Sequence, residues 1–187
     1  MGTAFEFSGR TRKIVAKQLH DCELGEFAAE MIEEACRREG VSRDQLVIHA
    51  DNGSPMKCAT LLAMLLMLGV AKSFSRPSVS NDNPYSESLF RTMKYRPGYP
   101  KKPFASLEAA RIWVEAFVAW YNGEHLHSGI SSVTPEQRHI GLDAKILENR
   151  KEVYEAAKKR NPNRWTRNVR AWNRVDAVRL NPRPDVA

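Results

Sequence analysis

The stretch Leu46-Val47-Ile48-His49-Ala50-Asp51-Asn52-Gly53-Ser54-Pro55-Met56 decides the fold of this chain. Five residues, mostly apolar and partly β-branched, predict a strand buried on both faces. Asp51 stands where the strand gives out, and Asn52 to Pro55 reads as a turn. Ser54 is placed to cap a helix with Pro55 in its first turn, running through Leu61, Leu62, Leu65 and Leu68 to Gly69. Val70 to Phe74 predicts a second strand. Ser75 to Pro84, with two prolines, three serines and three polar amide or acid residues, predicts a mobile loop. A further helix opens near Asn83-Pro84 and carries Glu87 one turn in.

Thirty-five residues separate Asp51 from Glu87. Spacing alone carries no weight, because 22 acids in this chain supply about two such pairs by chance. The surroundings carry the signal. His49-Ala50-Asp51-Asn52-Gly53-Ser54-Pro55-Met56, followed by Ser75-Arg76-Pro77-Ser78-Val79-Ser80-Asn81-Asp82-Asn83-Pro84-Tyr85-Ser86-Glu87, resembles the integrase core of bacterial insertion-sequence transposases. It is similar to the second open reading frame product of the group related to retroviral integrases. Tyr121-Asn122, His127-Ser128-Gly129 and Thr134-Pro135-Glu136-Gln137 extend the likeness, which runs from about Phe5.

The resemblance implies an α/β, RNase H-like fold, with a mixed sheet, flanking helices and a C-terminal helical extension. The expected organisation is a core over residues 1–100, a helical part of the integrase region over 101–141, and a charged helix with a basic tail over 142–187. The family cleaves DNA and transfers strands with two Asp and one Glu holding Mg²⁺ or Mn²⁺. Asp51 matches the second acid of that set and Glu87 the third, so both are expected catalytic and metal-binding residues. Arg91 and Lys94 match helix positions that contact transposon-end DNA. The first acid has no match: Glu6 and Asp21 precede the first helix, and neither has the expected context. The sheet is therefore expected to be incomplete at the N-terminus, the chain a truncated transposase inactive alone, and metal binding weak.

Charge distribution adds a second line of argument. The net charge is +7, yet Lys158 to Arg183 holds nine Lys or Arg and one acid, more than the whole surplus. Arg164, Arg167, Arg170 and Arg174 alternate with Trp165 and Trp172, so arginines can meet phosphates while indoles stack on bases or anchor the tail. DNA is the expected partner, as transposon end and target, with self-association or a full-length transposase as a second. Three cysteines without a C-x-x-C pair suggest neither disulfides nor a zinc site. The longest apolar run, Cys58 to Leu68, is shorter than the ~20 residues a bilayer requires and reads as a buried helix. These features fit a cytoplasmic, nucleoid-associated bacterial protein with no membrane partner.

The remaining chain reads in order. Ala4 to Phe7 and Lys13 to Leu19 predict strands, the second with lysines on its apolar face, which an edge position explains. Leu24, Phe27, Ala28, Met31, Ile32 and Ala35 recur at helical spacing, and Gly40 is a stop. Glu87, Arg91 and Lys94 share a helix face, either as a phosphate and metal surface or as a solvated Glu–Arg pair. Trp113, Phe117, Trp120 and Tyr121 form a stripe that predicts packing. Thr134 and Gln137 form a capping box, and Asp143 to Arg160 a charged helix anchored by Ile146, Leu147 and Tyr154. His125, His127 and His49 read as structural. Two functions of different class remain: a recombinase fragment, or a non-catalytic DNA-binding or assembly module.

Overall fold

A strand whose residues pair with a parallel neighbour needs a crossover of a dozen or more residues between them, and the region 47–74 provides it. In the computed structural model, β3 (Val47–Ala50) pairs in parallel with β4 (Ala71–Phe74), in the register Val47↔Ala71 to Ala50↔Phe74. The crossover is a 3-10 turn, Ser54–Lys57, and then α2 (Ala59–Leu68). The structure describes residues 2–22, 24–76, 79 and 82–174, with backbone alone for residues 2–7, 54 and 55. Two compact units divide them: one gathers Val15–Phe117 with residues 2–7, the other Ser8–Ile14 with residues 118–174.

β1 (Gly2–Phe7) and β2 (Ile14–His20) form a two-stranded sheet of their own, separate from the β3–β4 pair. α1 (Gly25–Arg38) packs on β3 and α2. Ala28, Ala29, Ile32 and Cys36 meet Ile48, Leu61, Leu65 and Val70 in one core. Gly40 has φ 64° just past α1, the expected stop. Gly69 ends α2 at φ 66°, and a Cβ there would stand 3.1 Å from that of Arg43, so any larger residue would be strained and crowded. Lys17 on β2 bonds Glu115 at 2.7 Å, which explains how a strand with lysines on its apolar face is accommodated.

Three local expectations are corrected. Val47 is 64% exposed, because β3 has helix on only part of its surroundings, so the strand is not buried on both faces. α2 is entered at Cys58, whose sulfur accepts from the Leu61 N–H at 3.4 Å, since Ser54 and Pro55 are taken up in the 3-10 turn. Nor is α2 a buried helix: Leu61 and Leu65 face α1, whereas Leu66 and Met67 are 77% exposed. Four residues of the loop expected to be mobile (77, 78, 80 and 81) and the tail from residue 175 lie outside the described residues.

α3 (Pro84–Tyr95) follows, with Leu89 and Met93 buried. α4 (Leu107–Gly123) is capped by Ser106, whose Oγ accepts from the Ala109 N–H at 3.1 Å. Trp113 stacks on Phe117, takes Tyr99 edge-on and donates to the Gly98 carbonyl at 3.1 Å, the packing role its spacing predicts. In the second unit, the Asn122 carboxamide bonds both backbone groups of Ile14, at 2.9 and 3.0 Å, as a neighbouring strand would. Thr134 and Gln137 close the capping box at the start of α5 (Pro135–His139).

α6 (Asp143–Arg160) packs through Leu147 and Ile146 against Ile130, Val133 and Trp172. At its start Asp143 is fully buried and accepts from Arg138 and, at 3.0 Å, from Arg174. Removing one partner of a buried ion pair strands the other charge. Asp143→Asn is therefore expected to cost the second unit about 3–5 kcal/mol, read as a lower urea midpoint at unchanged slope.

Candidate active site

Parallel pairing carries β3 and β4 to a common end, and the side chains beyond that end are the candidates. Asp51 leaves β3 exposed, its Oδ1 accepting from the Gly53 N–H at 3.0 Å, which turns the chain away from the sheet. Asn52 donates to the Ser75 carbonyl at 2.6 Å, and the Ser75 N–H reaches the Ala50 carbonyl at 3.0 Å. Just inside, His49 lies 3.0 Å through Nδ1 from the Ser73 hydroxyl and 3.4 Å through Nε2 from that of Ser75. That ring ties two strands together, in keeping with a structural histidine.

From Ser75 the chain reaches α3 through a clamp that sequence reading missed. Asp82, 7% exposed, accepts from the Arg76 backbone N–H at 2.8 Å and from two nitrogens of its guanidinium at 2.9 and 2.8 Å. Two forked donors on one buried carboxylate fix direction as well as distance. Asp82 raises the proton affinity of Arg76 through those bonds and its charge. The clamp joins the residue two after β4 to the residue two before α3. It thereby sets where α3, and Glu87 in its first turn, begins.

Glu87, Arg91 and Lys94 are all exposed on α3, as their spacing predicts. Among the described residues Glu87 makes no ion pair. Arg91 lies instead over the ring of Tyr95, 5.6 Å from its centroid, so the solvated Glu–Arg pair is not formed. No hydrogen bond joins Asp51 to Glu87, and among the described residues no three His, Cys, Asp or Glu gather as a metal site. Two exposed carboxylates are nonetheless the oxygen donors that a hydrated Mg²⁺ or Mn²⁺ takes, since Mg²⁺ keeps several waters and needs only one or two.

The basic segment is folded back rather than loose over its described part. Trp172 is 9% exposed, and both Arg150 and Arg170 lie over its ring, at 5.5 and 5.4 Å. Tyr154 takes Trp165 and Trp172 on its ring, so the indoles anchor the chain to α6. Arg174 bonds Asp143, while Arg164 and Arg167 are exposed.

The paired histidines pack in the same unit. His127 accepts at Nδ1 from the Gly129 N–H at 3.2 Å and stands edge-on to Tyr121 and to His125. Burial, with Arg12 and His125 nearby, pulls its pKa down to about 4. Burial also pushes Tyr121 up to about 12. A neutral ring in a hydrogen bond is a packing element, and its third neighbour is a cation, not a ligand.

Residues 68–135 match the family model of the integrase core domain. The match covers about a third of the chain. The matched segment runs from the last residue of α2 to the start of α5, so it includes Glu87, Arg91 and Lys94 and leaves out Asp51 and the tail arginines. The chain is also 25% identical over 126 residues to the transposase for insertion sequence element IS904 of Lactococcus lactis subsp. lactis (strain IL1403). That stretch is 67% of this chain and 49% of the relative, so the chain spans about half the length of the curated protein it matches.

Among solved structures, it is similar to the simian T-cell lymphotropic virus intasome in complex with PP2A regulatory subunit B56 gamma. The TM-score is 0.50 at 16% identity, over 66% of this chain and 43% of that one. This likeness gives the fold: the α/β arrangement is RNase H-like. The catalytic core domain of BIV integrase also aligns, with a TM-score of 0.48 at 20% identity over 71% of this chain and 80% of that domain.

Two outcomes test these contacts. The folded pKa of His127 lies below the ordinary 6.5, so folding favours the neutral ring. The stability this confers is whole above pH 6.5 and is lost as pH falls toward 4. Urea unfolding followed across that window should show the decline, and His127→Gln should flatten it. In the first unit, Arg76→Ala takes two side-chain donors from the Asp82 carboxylate and leaves the backbone N–H in place, an expected loss of about 1–3 kcal/mol in thermal or urea unfolding.

Proposed function

We propose that this chain is a DNA-recombining core segment of an insertion-sequence transposase, with Asp51 and Glu87 as two of its metal-binding carboxylates. The observation that supports this reading best is the common end of β3 and β4. There Asp51 is exposed at the end of β3, and the clamped approach to α3 lies within the segment that matches the integrase core model. The metal, when bound, would polarise a phosphodiester and lower the pKa of a bound water or hydroxyl. The residues of the chain do the rest. Asp51 and Glu87 supply anionic oxygens, and Arg91 and Lys94, on the same exposed face as Glu87, grip phosphates of the transposon end. The clamp between Arg76 and Asp82 holds the helix that carries three of these four.

Alone, the chain is proposed to bind DNA without cutting it. Two carboxylates can hold one hydrated ion, whereas in-line displacement by two metals needs both attacking and leaving oxygens clamped. A second reading, a DNA-binding or assembly module, is favoured by Lys158 to Arg174, which holds seven cations and no acid. The exposed apolar side of α2, with Leu66 and Met67, suits self-association or a longer transposase as partner. Either role would place the protein on DNA in the bacterial cytoplasm. No helix of the described residues is long and apolar enough to cross a membrane.

The test combines a nicking and strand-transfer assay in Mn²⁺ with thermal unfolding. The whole chain should bind duplex DNA, leave it uncut, and gain a small Mn²⁺-dependent rise in melting temperature that Asp51→Asn and Glu87→Gln each abolish. Cleavage lost on Asp51→Asn would mean the chain holds a complete site. A Mn²⁺ response unchanged in both variants would remove these two acids from the assignment.

A further inference from the structure

The run Lys158 to Arg174 reads as one basic patch, yet its cations are in different states. Arg170 lies over Trp172 at 5.4 Å and Arg174 bonds the buried Asp143 at 3.0 Å. Both are spent on holding the returning chain against α6. Arg164 and Arg167 are exposed, and among the described residues neither side chain makes an ion pair, a hydrogen bond or a ring contact.

These two lie where the chain turns back. The 3-10 turn Pro162–Arg164 follows α6 and delivers the chain to Trp165, whose ring stands edge-on to Tyr154 at 5.9 Å. Between this return and the end of α6 opens a cleft of about 610 Å³, lined by Lys158, Trp165, Thr166, Arg167 and Asn168. Lys158 reaches across it, its Nζ donating to the Asn168 Oδ1 at 3.2 Å and to the Arg167 carbonyl at 3.4 Å. An ammonium has three N–H groups, so one remains for a ligand. The lining holds two cations, a hydroxyl, an amide and an indole, and no carboxylate. Such a wall selects an oxyanion, and an indole beside it selects one that carries a flat or sugar face.

We propose that this cleft and the turn that leads into it form a seat for the DNA backbone, with Lys158 and Arg167 of the cleft and Arg164 of the turn on phosphates, and that Arg170 and Arg174 support the seat without touching DNA. The assignment rests on the DNA-binding reading above and divides the arginine run that sequence treats as uniform. Phosphate contacts and supporting contacts leave different traces. Each lost phosphate contact lowers the slope of log K against log salt by about 0.9 for duplex DNA. A lost support lowers the melting temperature instead.

The experiment compares the whole chain with two variants, using a short duplex as probe from about 50 to 200 mM salt. The triple variant Lys158→Gln, Arg164→Gln, Arg167→Gln should lose about 2.7 from the slope and keep its melting temperature. The double variant Arg170→Gln, Arg174→Gln should melt lower yet, below its melting point, keep the wild-type slope. An unchanged slope in the triple variant, with duplex still bound, overturns the seat and leaves the DNA reading standing. Failure of the wild-type chain to bind duplex at all overturns both. An added series with inorganic phosphate separates the two sources of the anion. Stabilisation by phosphate that the triple variant loses, without duplex binding, overturns the nucleic-acid assignment in favour of a free-anion site.

Discussion

The parallel pairing of β3 with β4 is the constraint from which the candidate site follows. Parallel strands both point their C-terminal ends the same way, and open α/β sheets bind ligands beyond those ends. Here the register Ala50↔Phe74 places the residues that follow, Asp51 and Ser75, side by side in chain direction. Asn52 then fastens the two exits together by its bond to Ser75. The crossover that makes this possible, through α2, is held in turn by the core that α1, Ile48, Leu61 and Leu65 share. Loosening that core would act on Asp51 indirectly, by freeing the strand it terminates.

The clamp of Arg76 on Asp82 extends the same logic to Glu87. A helix that begins after a loop of nine residues has many possible starting points, each costing little in loop entropy. Three hydrogen bonds onto one buried carboxylate leave far fewer. The loop thus contributes a fixed hinge at its two ends, whatever its middle does. Carboxylates proposed to share a metal from separate elements require such support, because a metal ion tolerates little error in the placement of its ligands.

Local patterns were legible where one element dictates its own conformation. The strand ending at Ala50, the left-handed glycines Gly40 and Gly69, the Thr134 capping box and the bounds of α6 all follow from neighbours in sequence. The misreadings share one cause: burial depends on partners that a local pattern does not name. Val47 and Leu66 carry the apolar character of a core but face outward, since hydrophobicity says what a residue tolerates and topology says where it goes. Asp82, Asp143 and Arg138 left no trace because a buried carboxylate and a surface one are the same letter. A loop Asp six residues after an Arg, or an Asp in a first helical turn, is ordinary on a solvated surface.

The arginine run carries that argument furthest. Counting charge gave the segment from Lys158 a single purpose, and long-range electrostatics supports it, because a duplex responds to the summed field of all the cations. Short-range contact does not sum in this way. A guanidinium engaged with Asp143 or lying against Trp172 still contributes to the field that a polyanion would feel, yet it cannot turn to meet a phosphate without releasing the chain it holds. In the proposed DNA complex, steering and gripping would therefore fall to overlapping but unequal sets of residues. The tryptophans explain why the two sets interleave. Trp165 and Trp172 both contact Tyr154, so the backbone between them is fastened at each end. The cations before and within that span are held at its surface, while the one after Trp172 reaches the buried acid.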